Sequence, residues 1–247
     1  MTLTEIFLIL AAGVSAGFIN TMAGGGSLIT LPLLIFLGLP AAVANGTNRI
    51  ALLVENITAV LNFKDKGYFN FNYGLILALP AVIGSLIGAQ IAVTISDQYF
   101  NQILAILMFV MLALILLNPA ERFDIKLNEI TKKRKMISAV VFFFVGIYGG
   151  FMQAGVGIII IAALSLLTGF SLVKINSLKV FVVAIYILAS FSIFVFNSKV
   201  NWGLGLLLAV GNGFGSWLAS SLAVKKGEKF VKIILTIVVL LMAFHLL

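Results

Sequence analysis

The sequence predicts an all-α polytopic membrane protein built from two inverted repeats, each a broken (half-helix) hairpin followed by three transmembrane helices. Three observations carry this prediction: high hydrophobicity, a run of glycines inside an apolar segment, and a second half that resembles the first. Of the 247 residues, 62% are hydrophobic and only 10% are charged, and the mean hydropathy is +1.21. Soluble domains carry about 25% charged residues, so the composition indicates a membrane protein.

The same composition argues against several classes of function. The absence of cysteine excludes disulfides, thiol catalysis, iron–sulfur clusters and cysteine zinc sites. One histidine and no pair of acids within a predicted span leave nothing to support an enzyme, a metal or a cofactor. The net charge of +8 lies mostly in short loops, as expected of cytoplasmic segments, and does not indicate a nucleic-acid partner.

The first half, residues 1–118, opens with an apolar segment that Gly24–Gly26 interrupts. Each glycine costs a helix about 1 kcal/mol relative to alanine, and a broken helix at membrane depth is tolerated where it packs inside protein or lines a cavity. The apolar stretch after the glycines has about ten residues and crosses about half of a ~30 Å hydrocarbon core. We predict a broken hairpin over 3–37 and full spans over 41–63, 72–95 and 99–118.

The second half follows a long polar stretch, 119–135, whose lysines and arginines predict a cytoplasmic linker. We predict that residues 136–247 form repeat two, with a broken hairpin over 136–169 and spans over 172–195, 203–223 and 230–247. Both termini are then expected on the outer side of the membrane.

Matching residues predict that the halves are duplicates. Gly13-x3-Gly17-Phe18-x-Asn20 returns as Gly146-x3-Gly150-Phe151-x-Gln153, and Gly38, Asn45, Asn70 and Gly84 return as Gly169, Asn176, Asn201 and Gly215. The loop Ser96–Gln98 has no basic residue, whereas its counterpart Lys225–Lys229 is strongly basic. Equivalent loops of opposite charge bias belong on opposite sides of the membrane, so the repeats are predicted to be inverted.

The two breaks are the first part of a candidate anion site. Glycines before a helix N-terminus leave N–H donors and a positive dipole end free, and Ser27 is the predicted N-cap of the half-helix. The candidate residues of the first break are Asn20, Thr21, Gly24, Gly25, Gly26 and Ser27, and those of the second are Gln153, Gly155 and Gly157.

A polar stripe on the next span is the second part. Its candidate residues are Asn45, Gly46, Thr47, Asn48 and Arg49, with Asn176, Ser177 and Lys179 in repeat two. A buried cation must face the bundle interior, so Arg49 and Lys179 are expected to converge on an anion. The alternative is a structural salt bridge of Arg49 with Glu55 or Asp65, or of Lys179 with Glu55.

The stretch from Gly17 to Pro32, with Gly38-Leu-Pro40 and Ala44-Asn-Gly-Thr47, resembles the sulfite exporter TauE/SafE family of membrane permeases. The resemblance covers nearly the whole chain. It implies a permease of the bacterial inner membrane for sulfite, sulfoacetate or other organosulfur anions, and it carries Asn20, Gly24–Gly26, Gly46 and Thr47 onto the family's motif positions. Where many relatives have serine after Gly-Thr, this chain has Asn48-Arg49.

The leading hypothesis is a secondary transporter, in the exporting direction, that moves small anions by alternating access between the repeats. Glu55 is the acid that lies well inside a span, so it is the candidate for proton coupling. The alternative is a passive anion channel. The expected partners are a small anionic substrate, protons and the lipid bilayer, while the cargo, the direction and the oligomeric state stay open.

Overall fold

The architecture is helical throughout the part of the chain that the computed structural model describes, residues 3–117 and 131–246. Residues 119–130, most of the predicted cytoplasmic linker, lie outside the described residues. The described helices are α1 (Leu3–Met22), α2 (Ser27–Phe36), α3 (Ala41–Asp65), α4 (Phe71–Thr94), α5 (Asp97–Leu117), α6 (Lys132–Phe151), α7 (Val156–Thr168), α8 (Leu172–Phe196) and α9 (Trp202–Leu246).

Several of these helices can cross a membrane. Among the described residues, five are long and apolar enough by length and composition: α1, α4, α6, α8 and the part of α9 from Trp202 to Gly227. The helices that follow the two breaks in the chain, α2 and α7, have only 10 and 13 residues. This pattern of several full spans and two short apolar helices is that of a multi-pass membrane protein.

One helix boundary differs from that predicted by the sequence. The basic residues Lys132–Lys135, expected in the linker, form the first turn of α6, because the Thr131 side chain accepts a hydrogen bond from the Arg134 N–H and starts the helix there. The sequence predicts two spans over 203–223 and 230–247 with a turn between them, and α9 is helical before and after a kink at Gly227. Gly227 has φ 72° and ψ −166°, a conformation open to glycine.

Helix directions follow from close backbone contacts at small residues. Gly211 and Gly215 of α9 pack on the carbonyl groups of Leu10 and Val14, so α1 and α9 run in the same direction. In the equivalent pair, α4 and α6 run in the same direction, with Gly146 against Ala81 and Gly150 against Ser85. Small residues at these positions let the backbones approach closely, as in packed membrane helices.

The third helices of the two halves, α3 and α8, run antiparallel through the centre of the bundle. Gly46, near the start of α3, packs against Phe194 and the Lys199 carbonyl at the end of α8. At the opposite end, Ser177 donates a hydrogen bond to the Tyr68 carbonyl in the loop after α3, at 2.7 Å.

The contacts of α1 and α6 pair the residues of these two helices in a different register from the one that the sequence motif indicates. Gly17 packs on Asn212, and Gly146 packs on Ala81. Because Ala81 and Asn212 are 131 positions apart, the matching contacts pair Gly17 with Gly146. The Gly-x3-Gly match had paired Gly13 with Gly146, so it is shifted by four residues, about one helical turn.

Three asparagines lie near the ends of helices. Asn70 and Asn201 cap helices, since their side chains accept hydrogen bonds from the N–H groups of Tyr73 and Leu204. Asn62 does not cap a helix. Its amide donates to the hydroxyls of Ser220 and Ser221, at 2.9 and 2.7 Å, and so connects α3 to α9.

Candidate functional site

The two helix breaks lie in direct contact. Each has a residue with positive φ, Gly24 at 88° and Gln153 at 67°. A Cβ atom added to Gly24 would collide with the Cα and carbonyl carbon of Gly157, and one added to Gly157 would collide with the Cα of Gly24. The backbone of the break between α1 and α2 therefore contacts the backbone of the break between α6 and α7 directly. Only glycine fits at Gly24 and at Gly157.

The short helices begin at glycine rather than at a side-chain cap. Gly26 is the N-cap of α2 and Gly155, with φ 73°, is the N-cap of α7; neither position has a side-chain cap. Ser27, the predicted N-cap, is instead the first residue of α2, because Gly26 packs against the Ala16 carbonyl where a larger residue would not fit. In the first turn of α2, the N–H groups of Leu28 and Ile29 donate to the Gly25 and Gly26 carbonyls, and in α7 those of Val156 and Ile158 donate to the Gln153 and Gly155 carbonyls.

The last carbonyl groups of α1 are bound by side chains of α8. The Lys179 ammonium donates to the Asn20 and Thr21 carbonyls at 2.9 and 2.8 Å, and the Asn176 amide donates to the Met22 carbonyl at 3.1 Å. A cation at the C-terminal end of a helix is favourable for the helix dipole, and these carbonyls have no intrahelical donor.

The end of α6 is bound in the same way by α3. The Asn45 amide donates to the Phe151 carbonyl at 2.7 Å, and the Arg49 guanidinium donates to the carbonyls of Gly149 and Gly150. Arg49 also donates to the Ser190 hydroxyl at 2.7 Å and lies 4.4 Å above the Phe194 ring. Each half therefore caps the broken helix of the other half, with one amide and one cation.

The hydrogen bonds described for Arg49 and Lys179 go to carbonyl and hydroxyl oxygens, and none of them goes to a carboxylate. The expected salt bridges with Glu55 or Asp65 are thus not among them. The two cations also differ in place. Lys179 lines the cavity described below, whereas Arg49 holds the end of α6 away from that cavity.

Glu55 lies fully buried between two asparagine side chains. Its carboxylate oxygens accept from the Asn20 amide at 2.6 Å and from the Asn212 amide at 2.8 Å. Asn20 therefore joins the carboxylate to the wall of the cavity, while its own carbonyl accepts from Lys179. A buried carboxylate needs such donors, since an unpaired charge would be costly in this environment.

A closed cavity lies between the two breaks. Its volume of about 10 Å³ suffices for roughly one water molecule. The lining residues come from both breaks and from α3 and α8: Asn20, Ser27, Asn56, Gln153, Val156, Gly157, Lys179 and Val183. The first residues of α2 and α7 are among them, so the positive ends of both short helices meet a buried ammonium at this point.

Several buried polar atoms near the breaks have no hydrogen-bond partner within the described part of the chain. Both amide atoms of Gln153, the Asn48 Oδ1 atom and the Arg49 Nε atom belong to this group. Native proteins leave few such groups, so each needs a water, an ion or a ligand. In the described residues, no cluster of three His, Cys, Asp or Glu side chains is placed to hold a metal ion.

Three residues of the predicted stripe lie elsewhere. Gly46 and Ser177 contact the backbone of the opposite half at Lys199 and Tyr68, and the Thr47 hydroxyl accepts from the Asn201 N–H at 2.8 Å. These contacts hold α3 and α8 against the loops of the other half. The structure thus gives these three positions packing contacts and does not bring them to the cavity.

Sequence reasoning missed two residues of the network. Asn212 donates to Glu55, and Ser216 donates to the Glu55 carbonyl while its hydroxyl accepts from Thr21. An asparagine and a serine in the middle of an apolar span were the available signal, because buried polar groups in membranes are costly.

Replacing Arg49 with methionine is expected to lower the free energy of unfolding by about 2–6 kcal/mol, about 1–3 kcal/mol for each of the Gly149 and Gly150 carbonyls, which would stay buried without a donor. Thermal unfolding of the purified protein in detergent measures this effect. Ser190→Ala is the control and removes one hydroxyl partner, with an expected loss of about 1 kcal/mol. Equal midpoints for the two variants would contradict this role of Arg49.

Comparison with known proteins places the chain among membrane permeases. The family model described as "Sulfite exporter TauE/SafE" matches residues 9–246. The chain belongs to this family. The match spans both breaks and both halves, as the resemblance of Gly17–Pro32 had led us to expect, and that identification is confirmed.

Relatives with curated descriptions agree. "Probable membrane transporter protein ORF9" from Sinorhizobium sp is 30% identical, over 98% of this chain and 91% of the relative. A "Probable membrane transporter protein" from Haemophilus influenzae is 28% identical over 91% and 88%, and YunE of Bacillus subtilis is 23% identical over 97% and 96%. No solved structure gives a significant match. The protein is thus a multi-pass member of a membrane transporter family, which is not a family of enzymes.

Proposed function

We propose that this protein is a secondary transporter that exports small anions, such as sulfite, sulfoacetate or other organosulfur oxyanions, by alternating access between inverted repeats. The observation that carries the proposal is the closed cavity, in which two helix breaks and the buried Lys179 ammonium meet. Transporters bind cargo near the middle of the membrane at discontinuous helices whose N-terminal ends point at anionic groups.

The antiparallel course of α3 and α8 supports an inverted arrangement. Equivalent residues make equivalent contacts: Asn45 and Asn176 each donate to the last carbonyl of the other half's first helix. Two such halves can rock about the shared contact of Gly24 with Gly157. In the described conformation the cavity is too small for a sulfur oxyanion, so we interpret it as a closed state.

Charge distribution supports an orientation in the bacterial inner membrane. The bundle end at which α3 finishes and α6 and α8 begin carries most of the described basic residues: Lys64, Lys66, Lys132, Lys133, Arg134, Lys135, Lys174, Lys225, Lys226 and Lys229. The other end carries Lys199. We therefore propose that the basic end, and with it the linker over 119–135, faces the cytoplasm.

The test is counterflow in proteoliposomes. Vesicles loaded with unlabelled sulfite or sulfoacetate are expected to take up the labelled anion in a saturable manner, faster than empty vesicles do. Such stimulation from the opposite side requires a carrier. A flux that rises linearly with concentration and shows no stimulation would favour an anion channel, and the absence of any anion flux would contradict both.

We further propose that Glu55 couples transport to protons. Glu55→Gln is expected to remove accumulation driven by a pH gradient, because the carboxylate between Asn20 and Asn212 can then no longer take up a proton. Exchange without a gradient is expected to continue. Asn62→Leu, which removes a polar side chain nearer the end of α3 that does not titrate, is the control. Gradient-driven uptake that survives in Glu55→Gln would contradict this role.

A further inference from the structure

Gln153 combines two features that are each unfavourable for stability. Its backbone has φ 67°, in the left-handed region that costs a residue with a side chain about 1–2 kcal/mol. Its side chain is 2% exposed, and neither amide atom has a partner in the described part of the chain. Its counterpart at the other break, Gly24, has no side chain and no such cost.

The side chain also lies in the right place to meet a cargo. Gln153 lines the cavity together with Lys179, Asn20 and Ser27. The cavity has room for roughly one water, which can accept from the amide N–H and donate to the amide oxygen when no cargo is bound. A cargo oxygen that displaces this water would accept from the same N–H group.

The net charge of the buried side chains limits the charge of the cargo. Among the described residues, the buried charged side chains are Lys179, which lines the cavity, and Arg49 and Glu55, which lie outside its lining. They sum to +1 when all are ionised, and buried charges act on one another with little screening. The helix ends at the breaks add little, since two positive ends meet two negative ends. A singly charged anion would neutralise this centre, whereas a doubly charged anion would leave a buried excess of one negative charge, which is costly.

We propose that Gln153 is a cargo-binding residue and that the cargo of this site is a singly charged oxyanion. This inference rests on the proposed function and narrows it to singly charged anions such as hydrogen sulfite, which excludes sulfoacetate with its two negative charges. The amide N–H group of Gln153, at the break between α6 and α7, and the ammonium of Lys179, on α8, bind the oxygens of the anion. The strained backbone of Gln153 is retained because it directs the amide into the cavity.

The test compares methanesulfonate with sulfate, which are similar in shape and differ in charge. In counterflow, the wild-type protein is expected to exchange labelled methanesulfonate at least about tenfold faster than labelled sulfate. Gln153→Gly permits the same backbone and deletes the amide, so the half-saturating concentration of methanesulfonate is expected to rise about tenfold or more. Its thermal unfolding midpoint is expected to stay equal to or above that of the wild type.

Two variants complete the design. Ser198→Gly is the matched control, because Ser198 also has positive φ, at 54°, but lies exposed in the loop after α8. Its exchange is expected to be unchanged. Gln153→Asn keeps an amide on a residue that tolerates this backbone and is expected to fall between Gly and the wild type.

The outcomes separate this inference from the proposed function. Sulfate exchanged as fast as methanesulfonate would overturn the charge assignment, and an unchanged half-saturating concentration in Gln153→Gly would overturn the role of the amide. Exchange of sulfite or sulfoacetate without exchange of methanesulfonate would overturn this inference alone. The absence of any anion exchange in the wild-type protein would overturn the proposed function together with it.

Discussion

Replacing Lys179 with methionine is expected to lower anion exchange about a hundredfold or more. The ammonium is the positive charge that lines the cavity, and it is buried, so its interaction with an anion is only weakly screened. Counterflow of methanesulfonate in proteoliposomes is the measurement, with the amount of folded protein in the vesicles determined for each variant.

The lysine also caps α1, so the loss of the cap must be separated from the loss of the charge. Asn176→Leu is the matched control, because it removes a hydrogen bond to the Met22 carbonyl at the same helix end and leaves the ammonium in place. This control is expected to unfold at a lower temperature and to continue exchange. Exchange that is lost equally in both variants would mean that Lys179 acts only on the structure.

Replacing Gly24 with alanine is expected to abolish exchange and to destabilise the protein far more than the same change at Gly38. Both glycines have φ 88°, so alanine has the same backbone cost of about 1–2 kcal/mol at either position. Only at Gly24 would the new Cβ collide with the backbone of the other break, at Gly157; at Gly38 nothing lies within 4 Å.

Comparing the two variants therefore separates the effect of the contact between the breaks from the effect of the conformational preference of glycine. Gly38→Ala is expected to keep counterflow close to the wild-type rate and to lower the thermal unfolding midpoint modestly. Gly24→Ala is expected to show little or no exchange. If Gly24→Ala unfolds and transports as Gly38→Ala does, the breaks do not need to touch in any conformation of the transport cycle.

The order and length of the helices were accessible from the sequence because hydrophobic runs and helix breakers act locally. Gly24–Gly26 interrupt the first helix as predicted, and α2 ends at Phe36, near the predicted end of the half-helix. The start of α6 was missed because four basic residues suggest a loop, although a threonine cap can begin a helix before them.

The partners of most buried polar groups were not accessible, since they lie about a hundred or more positions away in the chain. A stripe of polar residues shows that one face of α3 is buried, but it does not show whether a cation meets a carboxylate, a carbonyl or a ligand. Arg49 was expected to bind the anion, and its described hydrogen bonds go to the end of α6 and to Ser190. Gln153 was matched with Asn20 and expected in the anion site, and its unpartnered amide is visible only in the structure.

The reciprocal capping of the broken helices has a consequence for biosynthesis. The carbonyls of Asn20 and Thr21 find their donor in Lys179, which is 159 and 158 positions later in the chain. Since a chain is synthesised from its N-terminus, the first helix must wait in the membrane with these groups uncapped until the eighth helix is inserted. Neither half supplies the donors for the end of its own broken helix. The hydrogen bonds at each break therefore form only when both halves are in the membrane.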